Sequence, residues 1–402
     1  MTLANTSRRY GSLSKFFHWS IALGILTLIP LGIIATDMAA DTSAQLARKA
    51  TLFSIHKTLG IAIFAIAVAR ILWALSQPKP APLHPERKLE TFAAETVHWL
   101  LYASLVIMPL SGWVHHAATD GFAPIWLIGQ DLPFVLKDET LSAAASAVHS
   151  IFEKVLIVTL ILHIAGALKH HVIDRDATLR RMLPGRTEAG TPAPHAVLAP
   201  FGGAVAVIAL ALGIGFATGA PLAETGTSAP QLAQVQSDWE KQDGQIALTI
   251  RQFGKEVSGK FSDFTTEISY EDTPDPGTKG TVRVTVSIPS LTLGSVTDQA
   301  MGPDFFDAET HPTAVFDADI LRTDDGLIAE GSLTIRDQSV PLSLPFDLTI
   351  EGETARMTGQ LTLDRRDFGI GSQMDDPGQL GHDVQLDLSL TATRATKQDL
   401  GA

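Results

Sequence analysis

Four histidines stand inside long apolar stretches, where an ionisable side chain is costly and marks a functional position by default. They are His18 in Lys15-Phe-Phe-His-Trp-Ser20, His56 in Ser54-Ile-His-Lys-Thr-Leu-Gly60, His149 in Ala147-Val-His-Ser150 and His163 in Leu160-Ile-Leu-His-Ile164. The last two are fourteen residues apart. On a helix that step returns to nearly the same face, with a rise of about 21 Å. One face therefore presents two imidazoles at two depths. Neutral imidazole is a strong ligand for haem iron, and two axial imidazoles give a centre suited to electron transfer instead of oxygen chemistry.

The chain contains 13 histidines and no cysteine. Without cysteine there are no disulfides, no thiolate metal sites and no covalent C-x-x-C-H haem attachment. Any haem must be held non-covalently by His or Met.

Five apolar runs are long enough to cross a bilayer, about 20 residues each: Phe16–Thr36, Leu52–Leu75, Thr96–His116, Ala147–Lys169 and Val197–Leu222. Trp19, Trp73, Trp99 and Trp113 stand near their ends, as an interfacial aromatic belt requires. The first run lacks an A-x-A-like cleavage site and reads as a retained helix. Lys and Arg concentrate in the N-terminal tail (Arg8, Arg9, Lys15), after the second run (Lys79, Arg87, Lys88) and after the fourth (Arg175, Arg180, Arg181, Arg186). The third–fourth loop is mostly acidic, with Asp120, Asp131, Asp138 and Glu139. This asymmetry predicts a cytoplasmic N-terminus, with everything after residue 223 on the far side, the bacterial periplasm. In that topology His56 and His149 share the outer depth, and His18 and His163 share the cytoplasmic depth. Two bis-imidazole pairs follow.

Other residues could assist. Arg70, at the cytoplasmic end of the second run, is placed to pair with a haem propionate or to snorkel to the interface. His98 heads the third run and could line a quinone or propionate site. Lys57 could meet a propionate on the outer side. Gly60 and Gly112 could admit a porphyrin edge or close helix packing. His170 and His171 read as interfacial, and His115 and His116 carry no assignment.

The second half is a different material. Residues 1–223 hold 17 Lys/Arg against 13 Asp/Glu, whereas residues 224–402 hold 13 against 30. Such an acidic domain opposes nucleic-acid binding, which needs cations against phosphate. Glu224–Gln236 reads as a flexible linker. From Trp239 onward apolar residues alternate, as in Val282-Arg-Val-Thr-Val-Ser-Ile288 and Val384-Gln-Leu-Asp-Leu-Ser-Leu390. Seven or eight such strands predict an antiparallel sandwich or barrel. Val282, Val284, Val286, Ile288, Val315, Leu333, Ile335, Phe346, Leu348 and Leu361 are its expected inward side chains. A small barrel of this kind either encloses one elongated apolar ligand or is filled by its own side chains.

With its four histidines and the coda Asp174-Arg-Asp-Ala-Thr-Leu-Arg-Arg-Met-Leu-Pro184, the segment 8–185 resembles the bacterial cytochrome b-561 family of quinone-linked membrane cytochromes. The resemblance implies two b haems ligated by His18, His56, His149 and His163. Residues 238–396 resemble the YceI-like family of lipocalin-like barrels that bind polyisoprenoid lipids. The matching segments are Gly254-Lys-Glu-Val-Ser-Gly-Lys-Phe-Ser-Asp-Phe264, Asp304-Phe-Phe-Asp-Ala-Glu-Thr-His-Pro312, Glu330-Gly-Ser-Leu-Thr-Ile-Arg336 and Asp364-Arg-Arg-Asp-Phe-Gly-Ile370. One departure is Thr334-Ile-Arg-Asp-Gln338, where the family's tight-turn glycine is missing.

The expected organisation is a four-helix transmembrane di-haem bundle (1–185), a cytoplasmic link and fifth transmembrane helix (186–223), a linker (224–237), an all-β lipocalin-like barrel (238–396) and a tail (397–402). The expected function is transmembrane electron transfer through two b-type haems, with ubiquinone or another prenyl lipid and an unidentified redox protein as partners. A competing reading is a membrane-anchored lipid-binding protein whose haems are secondary or sensory, although one helix would suffice as its anchor. An ion transporter would need broken helices and buried carboxylates, which these runs lack.

Overall fold

The computed structural model describes residues 2–119, 123–129, 131–187, 198–218, 232 and 235–395. Most of the expected linker, the tail 397–402, Asp120 and the predicted ends of the fifth run at 197 and 219–222 lie outside them. The chain divides into two compact units, one built on the apolar helices and one holding every strand.

Among the described residues five helices build the first unit, α2 from Thr51 onward: α1 Ser12–Asp37, α2 Ser43–Leu75, α3 Lys88–Ala118, α4 Glu139–Val172 and α5 Leu198–Ala217. All five are long and apolar enough to span a membrane, where only helices or closed barrels can satisfy the backbone. The Asp138 carboxylate accepts from the Leu141 N–H at 2.7 Å and so starts α4. α3 and α4 pack closely as an antiparallel pair, and α5 lies against α3. There Trp99 and Phe201 meet edge to face at 5.2 Å. Gly203 leaves room for Phe92 and Thr96, and Gly215 for Ile151.

At mid-depth most buried side chains are aliphatic, with the hydroxyls of Ser104 and Thr159 beside them. Ile21 and Ile25 of α1, Ile63 and Ala67 of α2, Leu105 of α3 and Leu156 of α4 are buried in one cluster. Leu156 is midway in sequence between His149 and His163. The cluster therefore separates two polar layers.

Among the described residues the second unit forms a single antiparallel sheet of ten strands, more than the seven or eight expected. They are β1 Trp239–Gln252, β2 Lys255–Phe261, β3 Phe264–Tyr270, β4 Gly277–Ser287, β5 Leu291–Thr292, β6 Thr313–Thr323, β7 Gly326–Ile335, β8 Gln338–Glu351, β9 Thr354–Asp364 and β10 Leu380–Arg394. Their order is β3-β4-β6-β7-β8-β9-β10-β1-β2-β5. The sheet curls until β1 meets β3. A bulge between Lys241 and Asp243 bends β1, the Asp238 N–H donates to the Ile268 carbonyl at 3.0 Å, and Trp239 is buried against this closure. A short helix, Thr297–Met301, interrupts the strands.

Strand parity corrects part of the expected inward set. Val284 pairs with Phe316 and Thr285 with Val315, so Phe316 shares the inner face and Val315 does not. Ile288 and Ile335 pack in a separate cluster with Val257, Leu291 and Phe261. Without its glycine, the β7–β8 turn is still a two-residue hairpin. Ile335 pairs with Gln338, and Arg336 adopts φ 56°. This left-handed conformation is unfavourable for a residue with a side chain. The Arg336 guanidinium donates to the Phe305 carbonyl at 3.2 Å, which helps to hold it.

Candidate functional site: two histidine layers

The fourteen-residue step of α4 recurs on α1, α2 and α3. It separates His18 from Gly32 on α1, His56 from Arg70 on α2, His98 from Gly112 on α3, and His149 from His163 on α4. Antiparallel neighbours thus stack these residues in two layers. One contains His18, Arg70, His98 and His163. The other contains Gly32, His56, Gly112 and His149.

In the first layer the His18 and His163 rings approach with centroids 6.0 Å apart and planes inclined at 54°. That separation is of the size that one metal atom bonded to both imidazoles at about 2 Å would need. His98 lies beside them, its ring 5.3 Å from that of His163 and steeply inclined to it. The Arg70 guanidinium stands over Tyr102 at 5.4 Å and within electrostatic reach of both His18 and His163.

The coda closes the end of this layer. The Lys15 ammonium, buried, donates to the carbonyls of Leu183 at 2.7 Å and Gly185 at 3.0 Å. The Trp19 indole donates to the Met182 carbonyl at 3.0 Å, and Arg181 to that of Ala81 at 2.8 Å. Beyond it, His170 and His84 share the Asp176 carboxylate at 2.6 and 3.2 Å. Burial works to raise the Asp176 pKa, but hydrogen bonds from Thr178 and His170 outweigh it and hold it down to about 2. Glu90, His170 and Asp174 have donor atoms close enough for a metal ion. However, Lys169 pairs with both carboxylates, and Arg87 does so as well. This group is an ion-pair network.

In the second layer His149 Nδ1 lies 2.8 Å from the Met108 carbonyl. A carbonyl only accepts, so Nδ1 carries the proton and Nε2 keeps its lone pair for a ligand. His56 is within electrostatic reach of His149 and faces the Leu28 backbone. Its Nδ1 is buried without a hydrogen bond of normal geometry. Lys57 donates to the Ala123 carbonyl at 2.8 Å. His115, unassigned from sequence, has Nδ1 3.0 Å from the Ser142 carbonyl and ties the end of α3 to the start of α4. Gly112 opens toward the His149 ring, whereas a Cβ at Gly60 would meet nothing within 4 Å. Gly32 escaped sequence reasoning. The repeated step from a histidine fourteen residues earlier was its signal.

Buried imidazoles without thiolates among them make a donor set that suits haem iron, with the Glu153 carboxylate within electrostatic reach of His149. The layers and the central aliphatic cluster agree with two such centres one above the other.

In the β unit, the interior keeps a cavity of about 180 Å³ with an almost wholly hydrocarbon lining, including Val284, Phe316, Leu333, Leu344 and Phe346. Gln245, Thr266 and Ser389 are among its few polar neighbours.

Residues 9–185 match the prokaryotic cytochrome b561 family, and residues 238–392 match the YceI-like domain. Over 185 residues the chain is 35% identical to cytochrome b561 homolog 2 of Escherichia coli strain K12, a match covering 46% of this chain and 95% of that protein. It is 27% identical to the probable superoxide oxidase CybB of Yersinia pestis, covering 44% of this chain and 97% of the relative. Among solved structures, Burkholderia cenocepacia BcnA is similar at 26% identity and a TM-score of 0.35, covering 37% of this chain and 96% of that one. The chain belongs to the prokaryotic cytochrome b561 family of transmembrane electron-transfer proteins with b-type haem, and it carries a YceI-like barrel after its helices.

Proposed function

We propose that this protein carries electrons across the bacterial inner membrane through two b haems, exchanging them with the quinone pool. His18 and His163 hold one haem on the cytoplasmic side, and His56 and His149 hold the other on the periplasmic side. The observation that carries this reading is the layered arrangement, with two imidazole pairs on either side of a buried aliphatic cluster. Haem supplies one-electron chemistry. The protein's part is to fix spacing, ligand orientation and the surrounding dielectric. Arg70 is placed to neutralise a propionate of the cytoplasmic haem.

The clustering of Lys and Arg supports a cytoplasmic N-terminus and a periplasmic barrel. The barrel binds a prenyl lipid such as ubiquinone, and its apolar interior supports this. At about 180 Å³ the cavity is smaller than a typical drug-sized pocket, so it suits a slender hydrocarbon chain better than a fused-ring ligand.

A pyridine haemochrome assay with a reduced-minus-oxidised spectrum of the purified protein tests the central claim. Two b haems per chain are expected, falling to one in His149→Ala with the His18–His163 centre retained. A protein purified without haem would end the reading.

A further inference from the structure

The second layer holds two histidines and two glycines, and each glycine belongs to one histidine. A Cβ on Gly32 would lie 2.9 Å from His56 Cε1 and 3.2 Å from Nδ1. A Cβ on Gly112 would lie 3.0 Å from both Cε1 and Nδ1 of His149. The same edge of each ring therefore rests where a methyl group would stand on the preceding helix. The backbone groups behind that edge also correspond. His149 Nδ1 reaches the carbonyl of Met108, four residues before Gly112, and the His56 ring interacts with the backbone of Leu28, four residues before Gly32. In a helix the carbonyl of residue i−4 accepts from the N–H of residue i. A missing side chain at i exposes that carbonyl to a second donor.

We infer that Gly32 and Gly112 are a matched pair of positioning residues. Each lets one imidazole approach a helix closely and present its Nε2 to the iron, with Nδ1–H meeting a main-chain carbonyl at His149 and directed at the equivalent turn of α1 at His56 once the haem is bound. The inference rests on the two-haem reading and deepens it. Outer partners of this kind fix the tautomer of a metal-bound histidine and raise its basicity. A more basic ligand favours the oxidised iron, so the two glycines hold down the reduction potential of the His56–His149 centre. The first layer lacks this device. There His18 and His98 occupy the corresponding places on α1 and α3, so the two centres differ in potential by construction.

The test is a redox titration of the full-length protein with electron paramagnetic resonance of the oxidised haems. Gly32→Ala, Gly112→Ala and Gly213→Ala are compared, Gly213 being a helical glycine of α5 whose Cβ would meet nothing within 4 Å. His149→Ala assigns which signal belongs to the His56–His149 centre. Wild-type protein lacking two haem signals would defeat the parent reading before any glycine variant is measured. With two present, Gly32→Ala and Gly112→Ala are each expected to raise the potential of that centre alone and to shift its low-spin signal, or to lose that haem while the other stays. Gly213→Ala is expected to match wild type. Unchanged potential and signal in both variants would overturn the inference. So would joint loss of both haems, which marks a general packing role.

Discussion

The imidazoles of His18 and His163 approach across the bundle from α1 and α4, with ring centroids 6.0 Å apart. This pairing joins the first helix of the bundle to the fourth at the depth of Arg70. His163→Ala is therefore expected to leave one haem per chain, the one lost in His149→Ala. His98→Ala is expected to retain two haems while shifting the potential of the His163 centre, because its ring touches that of His163. Haem stoichiometry and redox titration read both outcomes. A one-haem His98→Ala protein would make His98 a ligand.

The barrel's interior can be tested apart from the haems. Val284 lines the cavity, and an ionised carboxylate there would be expensive unless it found a partner. Val284→Glu should abolish co-purification of prenyl lipid, read by mass spectrometry of an organic extract, and leave the haem spectrum unchanged. Equal lipid recovery from both proteins would refute a lipid site in this cavity.

Arg365 is buried at 4% exposure, and its guanidinium is spent on carbonyls. Nε donates to Gly381 at 2.9 Å, one terminal nitrogen to Ile370 and Gly371 at 2.8 and 2.7 Å, and the other to Leu380 at 3.3 Å and to Met374. Lysine offers three donors. Arg365→Lys therefore leaves at least two buried carbonyls unmet, at about 1–3 kcal/mol each. A loss of roughly 2–6 kcal/mol is expected in the barrel's unfolding transition, followed by far-ultraviolet circular dichroism with the haem bands as control.

The Asp176 clasp should depend on pH in one direction. Its folded pKa, about 2, is below the ordinary value of 3.8. The charged carboxylate thus contributes stability that is present above pH 3.8 and lost as pH falls toward 2. Asp176→Asn is expected to lower the melting temperature at about pH 7, and the gap from wild type should close between about pH 4 and about pH 2. A gap that stayed constant across this range would exclude the mechanism.

Much of this was legible in the sequence because lipid imposes a simple rule on composition. The five spans, the four histidines and the alternating strands all follow from hydropathy and period. Hydropathy reads only the part of a helix inside the bilayer, however. It misses residues 43–51, 88–95 and 139–146, where polar and small helix-forming residues extend α2, α3 and α4. Parity was lost at Val315 because the break between β5 and β6 resets the alternation, and a strand's inward face is set by its partner's register. The turn at Arg336 escaped because a tertiary hydrogen bond to Phe305 supports a conformation that local propensity disfavours. Gly32 has no sequence signal as a porphyrin edge or as a helix-packing position. Its meaning emerged once His56 was seen against it.

The buried layer of Ile21, Ile25, Ile63, Ala67, Leu105 and Leu156 has an electrical consequence. The histidines on either side of it differ by about 21 Å in depth, some two-thirds of a hydrocarbon core about 30 Å thick. On the two-haem reading, electron movement between the two depths would be electrogenic. A membrane voltage of about 100 mV, worth about 2.3 kcal/mol for a full crossing, would add or subtract roughly 1.5 kcal/mol for each electron. On that reading the bundle would work as a conductor under load, and the energised state of the membrane would help set which way current flows.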